Sequence, residues 1–212
     1  MNRSEVTHII FDLDGTLIDS SQGIIDAVNY SLRSMGVQER NADEITPYIG
    51  YPLKQMYTDF TDASYQDLYT HFQQHATTSV VDAAVALDGV NDVLYELHSK
   101  GYHLGIATNK IAFHITAIVN KLGWTDLFSA TAGGDEVVHQ KPHPEMIYLT
   151  MNRMNAAPQT TLMVGDTDND ILAARRAGIR SATVPSPYAH TRPDSADFHI
   201  NHISDLRQRI EQ

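Results

Sequence analysis

The densest group of chemically useful residues lies where a short apolar segment ends in two aspartates. Val6–Phe11 is rich in β-branched and aromatic residues, contains no glycine or proline, and predicts a buried strand. Asp12 and Asp14 follow it, and because they are two residues apart, their side chains project to the same side of an extended chain. Gly15 then permits a tight turn of the backbone. Two carboxylates in so small a space suit a hard cation, a nucleophile and a proton carrier.

Three later segments also end in polar side chains that can complete a site with this pair of carboxylates. In open parallel sheets, ligands bind at the carboxyl ends of the strands, so residues that follow different strands meet at one edge. These residues are Thr108 and Asn109 after Tyr102–Ala107, Asp166 and Asp170 after Thr161–Val164, and Lys141 in the loop Gln140–Glu145.

The elements that must position these residues alternate between strand and helix patterns beyond Asp88. Apolar residues at helical spacing follow each predicted strand, and glycines stand where the helices would stop. This alternation predicts an α/β fold with a doubly wound, parallel, Rossmann-like sheet. The region 18–83 breaks the alternation, because its apolar residues keep helical spacing throughout. We therefore predict a catalytic core made of 1–17 and 84–212, with an inserted all-helical cap domain at 18–83.

Composition narrows the class of protein further. The chain has 212 residues, of which 42% are hydrophobic and 19% charged, as in ordinary globular proteins. Its net charge of −11 argues against nonspecific nucleic-acid binding. No segment has the length of a membrane span, and the N-terminus lacks the apolar core of a signal peptide. We expect a cytoplasmic protein, a monomer or homodimer, that acts on a small molecule and binds neither membrane nor nucleic acid.

Taken in order, these four motifs resemble the haloacid dehalogenase-like hydrolase superfamily, in particular its phosphoglycolate phosphatase-like branch. The resemblance extends from about Thr7 to Arg180, and the helical insertion after the first catalytic strand corresponds in position to the family's cap domain. The family implies a phosphatase that hydrolyses a small phosphate monoester with Mg²⁺ as cofactor. Its partner would be a small phosphorylated metabolite.

The resemblance also implies a role for each core residue. Asp12 would be the nucleophile that forms an aspartyl-phosphate, and Asp14 would be the general acid and base. Mg²⁺ would be held by the side chain of Asp12, the backbone carbonyl of Asp14 and the side chain of Asp166. Asp170 would lie outside the direct metal ligands, where it would contact the metal through water or orient Lys141.

The remaining core residues would bind the transferred phosphoryl group and its leaving group. Thr108 and Asn109 would donate hydrogen bonds to phosphoryl oxygens, and Lys141 would neutralise the developing charge. Gly50 and Lys54 belong to a Gly/Pro turn that corresponds to the family's substrate-specificity loop. A single cation at Lys54 would suit a small, singly anionic leaving group such as glycolate.

Several activities share these residues and stay open from the sequence. Dehalogenation is disfavoured, because a dehalogenase has no leaving alkoxide for Asp14 to protonate. Inorganic pyrophosphatase, 5′-nucleotidase and β-phosphoglucomutase are the alternatives within the superfamily. A non-catalytic binding protein on the same fold is disfavoured, because Asp12, Asp14, Lys141 and Asp166 are all present.

Overall fold

A six-stranded parallel sheet forms the centre of the protein. The computed structural model describes residues 5–188 and 192–210. The strands are β1 His8–Phe11, β2 Ile18–Asp19, β3 Val85–Ala86, β4 His103–Thr108, β5 Phe128–Gly133, β6 Thr161–Gly165, β7 Arg180–Thr183 and β8 Phe198–His199. The sheet has the order β5–β4–β1–β6–β7–β8. The predicted fold class is therefore confirmed.

Helices cover both faces of this sheet. They are α1 Ser21–Ser34, α2 Ala42–Ile45, α3 Leu53–Phe60, α4 Tyr65–Ala83, α5 Val90–Ser99, α6 Ala112–Lys121, α7 Glu145–Met154, α8 Asp168–Ala177 and α9 Leu206–Ile210. Successive side chains of β1 point to opposite faces. Ile9 and Phe11 pack in one hydrophobic cluster, and Ile10 packs in the other. Burial on both sides explains why this strand is apolar throughout. No helix in the described ranges is long and apolar enough to cross a membrane.

The predicted insertion forms a helical unit, in which α1 packs along α4. Its first two residues differ from the expectation, because Ile18 and Asp19 form a strand rather than part of a helix. They pair antiparallel with Val85 and Ala86, and this short ribbon carries the chain out of the core and back. The division into core and cap stays a prediction, with the ribbon at its boundary.

Two strands of the sheet, the two-residue β8 and the longer β5, are absent from the sequence-based expectation. The larger difference is β5. Its residues are Phe-Ser-Ala-Thr-Ala-Gly, which are mostly small and show little β-branched or aromatic character. Ala130 and Ala132 are buried on pairing with β4. Tertiary packing therefore selects a strand that local propensity does not indicate. Farther along the chain, Ile200, Ile203 and Leu206 are also buried and belong to one of the two hydrophobic clusters.

Candidate active site

The carboxyl ends of neighbouring strands bring the predicted core residues together. Asp12 follows β1, Thr108 ends β4 and Asp166 follows β6, and β1 lies between the other two. Lys141 reaches this edge from the loop that precedes α7, and its side chain is only 1% exposed. All four residues are buried. The site therefore depends on the parallel register of three strands.

The Lys141 ammonium group is the electrostatic centre of the site. Its Nζ donates hydrogen bonds to Asp12 Oδ1 at 2.7 Å, to Asp170 Oδ1 at 2.6 Å and to the carbonyl of Ala107 at 2.8 Å. Burial opposes its charge, but the attraction of Asp12 and Asp170 outweighs burial and raises the pKa of Lys141 above its ordinary value. Lys141 is therefore a fixed cation with all three of its hydrogens engaged.

Three buried carboxylates lie close together next to Lys141. Oxygen atoms of Asp12, Asp166 and Asp170 lie within 4.8 Å of one another. Burial raises the pKa of Asp12 to about 6, with Lys141 opposing and Asp170 adding to the effect. Burial, reinforced by Asp170 and Asp12, also raises the pKa of Asp166 well above its ordinary value. Oδ2 of Asp166 is buried, and no hydrogen-bond donor among residues 5–188 and 192–210 reaches it. Such an all-oxygen cluster fits a hard divalent cation such as Mg²⁺.

The turn after β1 packs directly against this acidic cluster. Gly15 has a φ of 84°, and a Cβ at this position would lie 2.4 Å from Asp166 Oδ2. The Thr16 hydroxyl donates a hydrogen bond to Asp166 Oδ1 at 2.9 Å. The sequence predicts the tight turn, but it gives no signal for the hydrogen bond from Thr16. Gly15 is therefore required both for its backbone conformation and for the close approach of Asp166.

Asp170 has both of its carboxylate oxygens engaged within the protein. Oδ1 accepts from Lys141, while Oδ2 accepts from the backbone N–H of Thr167 at 3.0 Å and from its hydroxyl at 2.7 Å. These contacts cap the N-terminus of α8. The geometry suits a residue that orients Lys141, and its predicted contribution to a metal site stays a prediction.

Asp14 is held by two residues for which the sequence analysis predicts no role. The hydroxyl of Ser20 donates to its Oδ1, and the Lys110 ammonium lies 2.9 Å from its Oδ2. The side chains of Lys110 and Asp14 are 6% and 7% exposed, so this ion pair is nearly shielded from water. Lys110 directly follows Thr108 and Asn109 at the end of β4, and this adjacency is the signal that points to it.

Asn109 connects the cap loop to the loop of Lys141. Its Nδ2 donates to the carbonyl of Gly50 at 3.0 Å and to that of Lys141 at 3.3 Å, and its Oδ1 accepts from the Lys141 N–H. In this arrangement the amide hydrogens of Asn109 are both used within the protein. Thr108 is buried and lines the cavity between core and cap. Their predicted binding of phosphoryl oxygens stays a prediction.

The predicted specificity loop reaches the core through Gly50 rather than through Lys54. Gly50 has a φ of 91°, and a Cβ there would lie 3.1 Å from the methyl group of Thr167. Lys54 is exposed, with its Nζ 5.9 Å from the centre of the Tyr65 ring. Tyr65 lines the cavity between core and cap, whereas Lys54 does not. A role for Gly50 and Lys54 in substrate binding stays a prediction.

Comparison with known proteins assigns the family. The sequence profile of the haloacid dehalogenase-like hydrolases matches residues 9–184, which is most of the chain. The protein therefore belongs to this family, and the resemblance inferred from its motifs is confirmed.

Individual relatives narrow the class of enzyme. A phosphoglycolate phosphatase from Aquifex aeolicus is 32% identical over 199 residues, covering 93% of each chain. The pyrophosphatase PpaX from Oceanobacillus iheyensis is 32% identical over 201 residues, covering 93% of this chain and 94% of its own. The solved structure of a haloacid dehalogenase-like family protein from Streptococcus pneumoniae has a TM-score of 0.83 at 25% identity, covering 96% of this chain and 98% of that one. These relatives confirm the predicted enzyme class, a phosphatase.

Proposed function

We propose that this chain is a Mg²⁺-dependent phosphatase that hydrolyses a small phosphate monoester through an aspartyl-phosphate on Asp12. The observation that carries the proposal is the hydrogen bonding of the two oxygens of the Asp12 carboxylate. Lys141 fixes its Oδ1 at 2.7 Å, whereas its Oδ2 accepts no hydrogen bond from the residues that the structure describes. A carboxylate with one fixed and one available oxygen is arranged for nucleophilic attack.

In the first step, Asp12 forms a bond to phosphorus while the bond between phosphorus and the leaving oxygen breaks. Asp14 takes part in this step in its protonated form, gives its proton to that leaving oxygen and becomes a carboxylate. Asp14 then takes a proton from the water that attacks the aspartyl-phosphate, which releases phosphate and restores Asp12. Lys141 holds Asp12 in position and offsets charge that develops on the phosphoryl oxygens.

The residues that would hold Mg²⁺ are Asp12 and Asp166 through their side chains and Asp14 through its backbone carbonyl. Oδ2 of Asp166 supports this assignment, because it is buried without a donor from the part of the chain that the structure describes, and such an oxygen needs a cation or a donor. When bound, the ion offsets the negative charge that Asp12 and the phosphoryl group share. Asp170 acts through Lys141 and Thr167.

Phosphoglycolate is the substrate that we propose first. The relative from Aquifex aeolicus supports it. Inorganic pyrophosphate is the second candidate, because the pyrophosphatase PpaX is equally similar to this chain. We expect a cytoplasmic monomer or homodimer.

Phosphate release from phosphoglycolate and from pyrophosphate, with Mg²⁺ or with excess chelator, tests the proposal. We expect turnover only with the metal, and a phosphorylated, hydroxylamine-sensitive protein after rapid quenching. Asp12→Asn should abolish both signals while the circular dichroism spectrum is retained. Asp168→Asn is the matched control, because Asp168 is an exposed aspartate near the same sheet edge. Full activity in chelator, or turnover by the Asp12 variant, would contradict the mechanism.

A further inference from the structure

A cavity with about 780 Å³ of atom-free space, including its open mouth, lies between the cap and the core. Met56, Tyr65, Tyr69 and Phe72 contribute apolar and aromatic surface from the cap side. Asp14, Lys110 and His114 contribute polar groups from the core side. Among the described residues that line this cavity, Lys110 is the single Lys or Arg. A leaving group bound next to Asp14 would therefore meet one cation.

The Lys110 ammonium lies against the oxygen of Asp14 that a leaving group has to reach in order to be protonated. The Ser20 hydroxyl holds Oδ1, so the leaving oxygen has to approach Oδ2, where the Lys110 ammonium lies at 2.9 Å. In the described residues, Asp14 is the one carboxylate that forms an ion pair with Lys110. A buried ammonium group that loses its counter-charge is strongly unfavourable. A substrate that displaces Lys110 from Asp14 must therefore provide another anion.

We propose that Lys110 is a specificity-determining residue, which selects phosphate esters whose leaving group carries its own negative charge. Lys110 exchanges its ion pair with Asp14 for one with that charge, and the exchange leaves Asp14 Oδ2 free to carry the proton that it gives to the leaving oxygen. The anion is a carboxylate or a phosphate one or two bonds beyond the scissile P–O bond. This inference rests on the phosphatase mechanism proposed above.

His114 supports this interpretation from the first turn of α6, four residues after Lys110. His114 is 2% exposed and lines the same cavity, and its Nε2 has no hydrogen-bond partner among the described residues. Burial and the nearby Lys110 lower the pKa of His114 to about 4, so the ring is neutral at physiological pH. The imidazole can therefore form a hydrogen bond with the leaving group, but Lys110 has to provide the positive charge.

The test compares an anionic substrate with a neutral one of nearly the same size. Phosphoglycolate and 2-hydroxyethyl phosphate differ mainly in the carboxylate, and pyrophosphate serves as the arm with a phosphate leaving group. In the wild-type protein we expect kcat/KM for phosphoglycolate to exceed that for 2-hydroxyethyl phosphate by at least about tenfold. Lys110→Met should bring this ratio close to one. If Lys110→Met also lowers kcat/KM for pyrophosphate, both a carboxylate and a phosphate leaving group pair with Lys110. If it lowers kcat/KM for phosphoglycolate alone, Lys110 pairs with a carboxylate.

Two lysine variants control for the chemical change. Lys100→Met removes a lysine that pairs with Glu96 on the surface, and it should leave the ratio unchanged. Lys54→Met removes the lysine that the sequence predicts to contact the anionic leaving group. A ratio that falls in the Lys54 variant and not in the Lys110 variant would overturn the proposal.

A second measurement needs no variant, in case Lys110→Met does not fold. Glycolate and ethylene glycol are compared as inhibitors of phenyl phosphate hydrolysis by the wild-type protein, and we expect glycolate to inhibit at a concentration at least about tenfold lower. Equal inhibition, or equal kcat/KM for the two esters, would overturn the role of Lys110 while the phosphatase mechanism stands. Failure of that mechanism gives a different result, namely no metal-dependent turnover of any ester and no phosphorylated Asp12.

Discussion

Binding of Mg²⁺ should stabilise this protein more at neutral pH than at acidic pH. In the metal-free protein, burial raises the pKa of Asp12 from its ordinary 3.8 to about 6. The folded state then binds this proton more tightly than the unfolded state, so stability falls as the pH rises through the interval between these two values. At about 1.4 kcal/mol per pH unit, keeping the buried Asp12 carboxylate charged costs about 3 kcal/mol at neutral pH, chiefly through its burial and in smaller part through repulsion from Asp170. A cation at the site relieves part of that cost.

The expected size of the effect follows from mass action. With a dissociation constant of about 1 mM, about 10 mM Mg²⁺ adds about 1.4 kcal/mol near pH 7.5. For a chain of this length, that gain corresponds to a rise in Tm of about 3–6 °C. Near pH 5, only about a tenth of Asp12 is deprotonated, so the apparent dissociation constant rises about tenfold. The gain then falls to about 0.4 kcal/mol, or a rise in Tm of about 1 °C.

Thermal unfolding followed by circular dichroism, with Mg²⁺ or with chelator at the two pH values, measures this difference. Asp12→Asn is the control, because it removes the titrating carboxylate and should reduce the shift and its dependence on pH. A wild-type shift of the same size at both pH values would refute the link between Asp12 and metal binding. A larger shift at the acidic pH would refute the sign of the argument.

Three further substitutions test other parts of the site. Asp14→Asn should abolish most hydrolysis of alkyl phosphates and less of 4-nitrophenyl phosphate, because a good leaving group needs no proton; equal losses on both substrates would contradict its role as the acid. Lys141→Met should lower the free energy of unfolding in urea by about 3–5 kcal/mol, because it leaves buried carboxylates without their cation; an unchanged midpoint would contradict this. Gly50→Ala places a Cβ at a residue whose φ is 91°, and that Cβ would lie 3.1 Å from the Thr167 methyl group. It should cost about 1–2 kcal/mol of stability and raise KM; a wild-type KM would separate this loop from substrate binding.

Much of the fold can be predicted from the sequence because its signals are local. The apolar run before Asp12 predicts a strand, since a parallel strand covered on both faces must be apolar throughout. The same reasoning places Thr108 and Asp166 at the carboxyl ends of two other parallel strands, which lie on either side of the strand that carries Asp12. The strand Phe128–Gly133 shows the limit of this reasoning. Its small residues carry little strand propensity, and pairing with β4 decides its conformation.

The positions of long polar side chains were decided only by the tertiary structure. Lysines 54, 110 and 141 all lie near predicted loops, and the sequence favours Lys54 as the cation that meets the leaving group. In the folded protein Lys54 lies over an aromatic ring at the surface, whereas Lys110 is buried against Asp14. The ammonium of a lysine lies several bonds from its backbone, so its partner depends on which elements converge around it. Sequence spacing determines which strand end carries a residue, and three-dimensional packing determines which charge that residue meets.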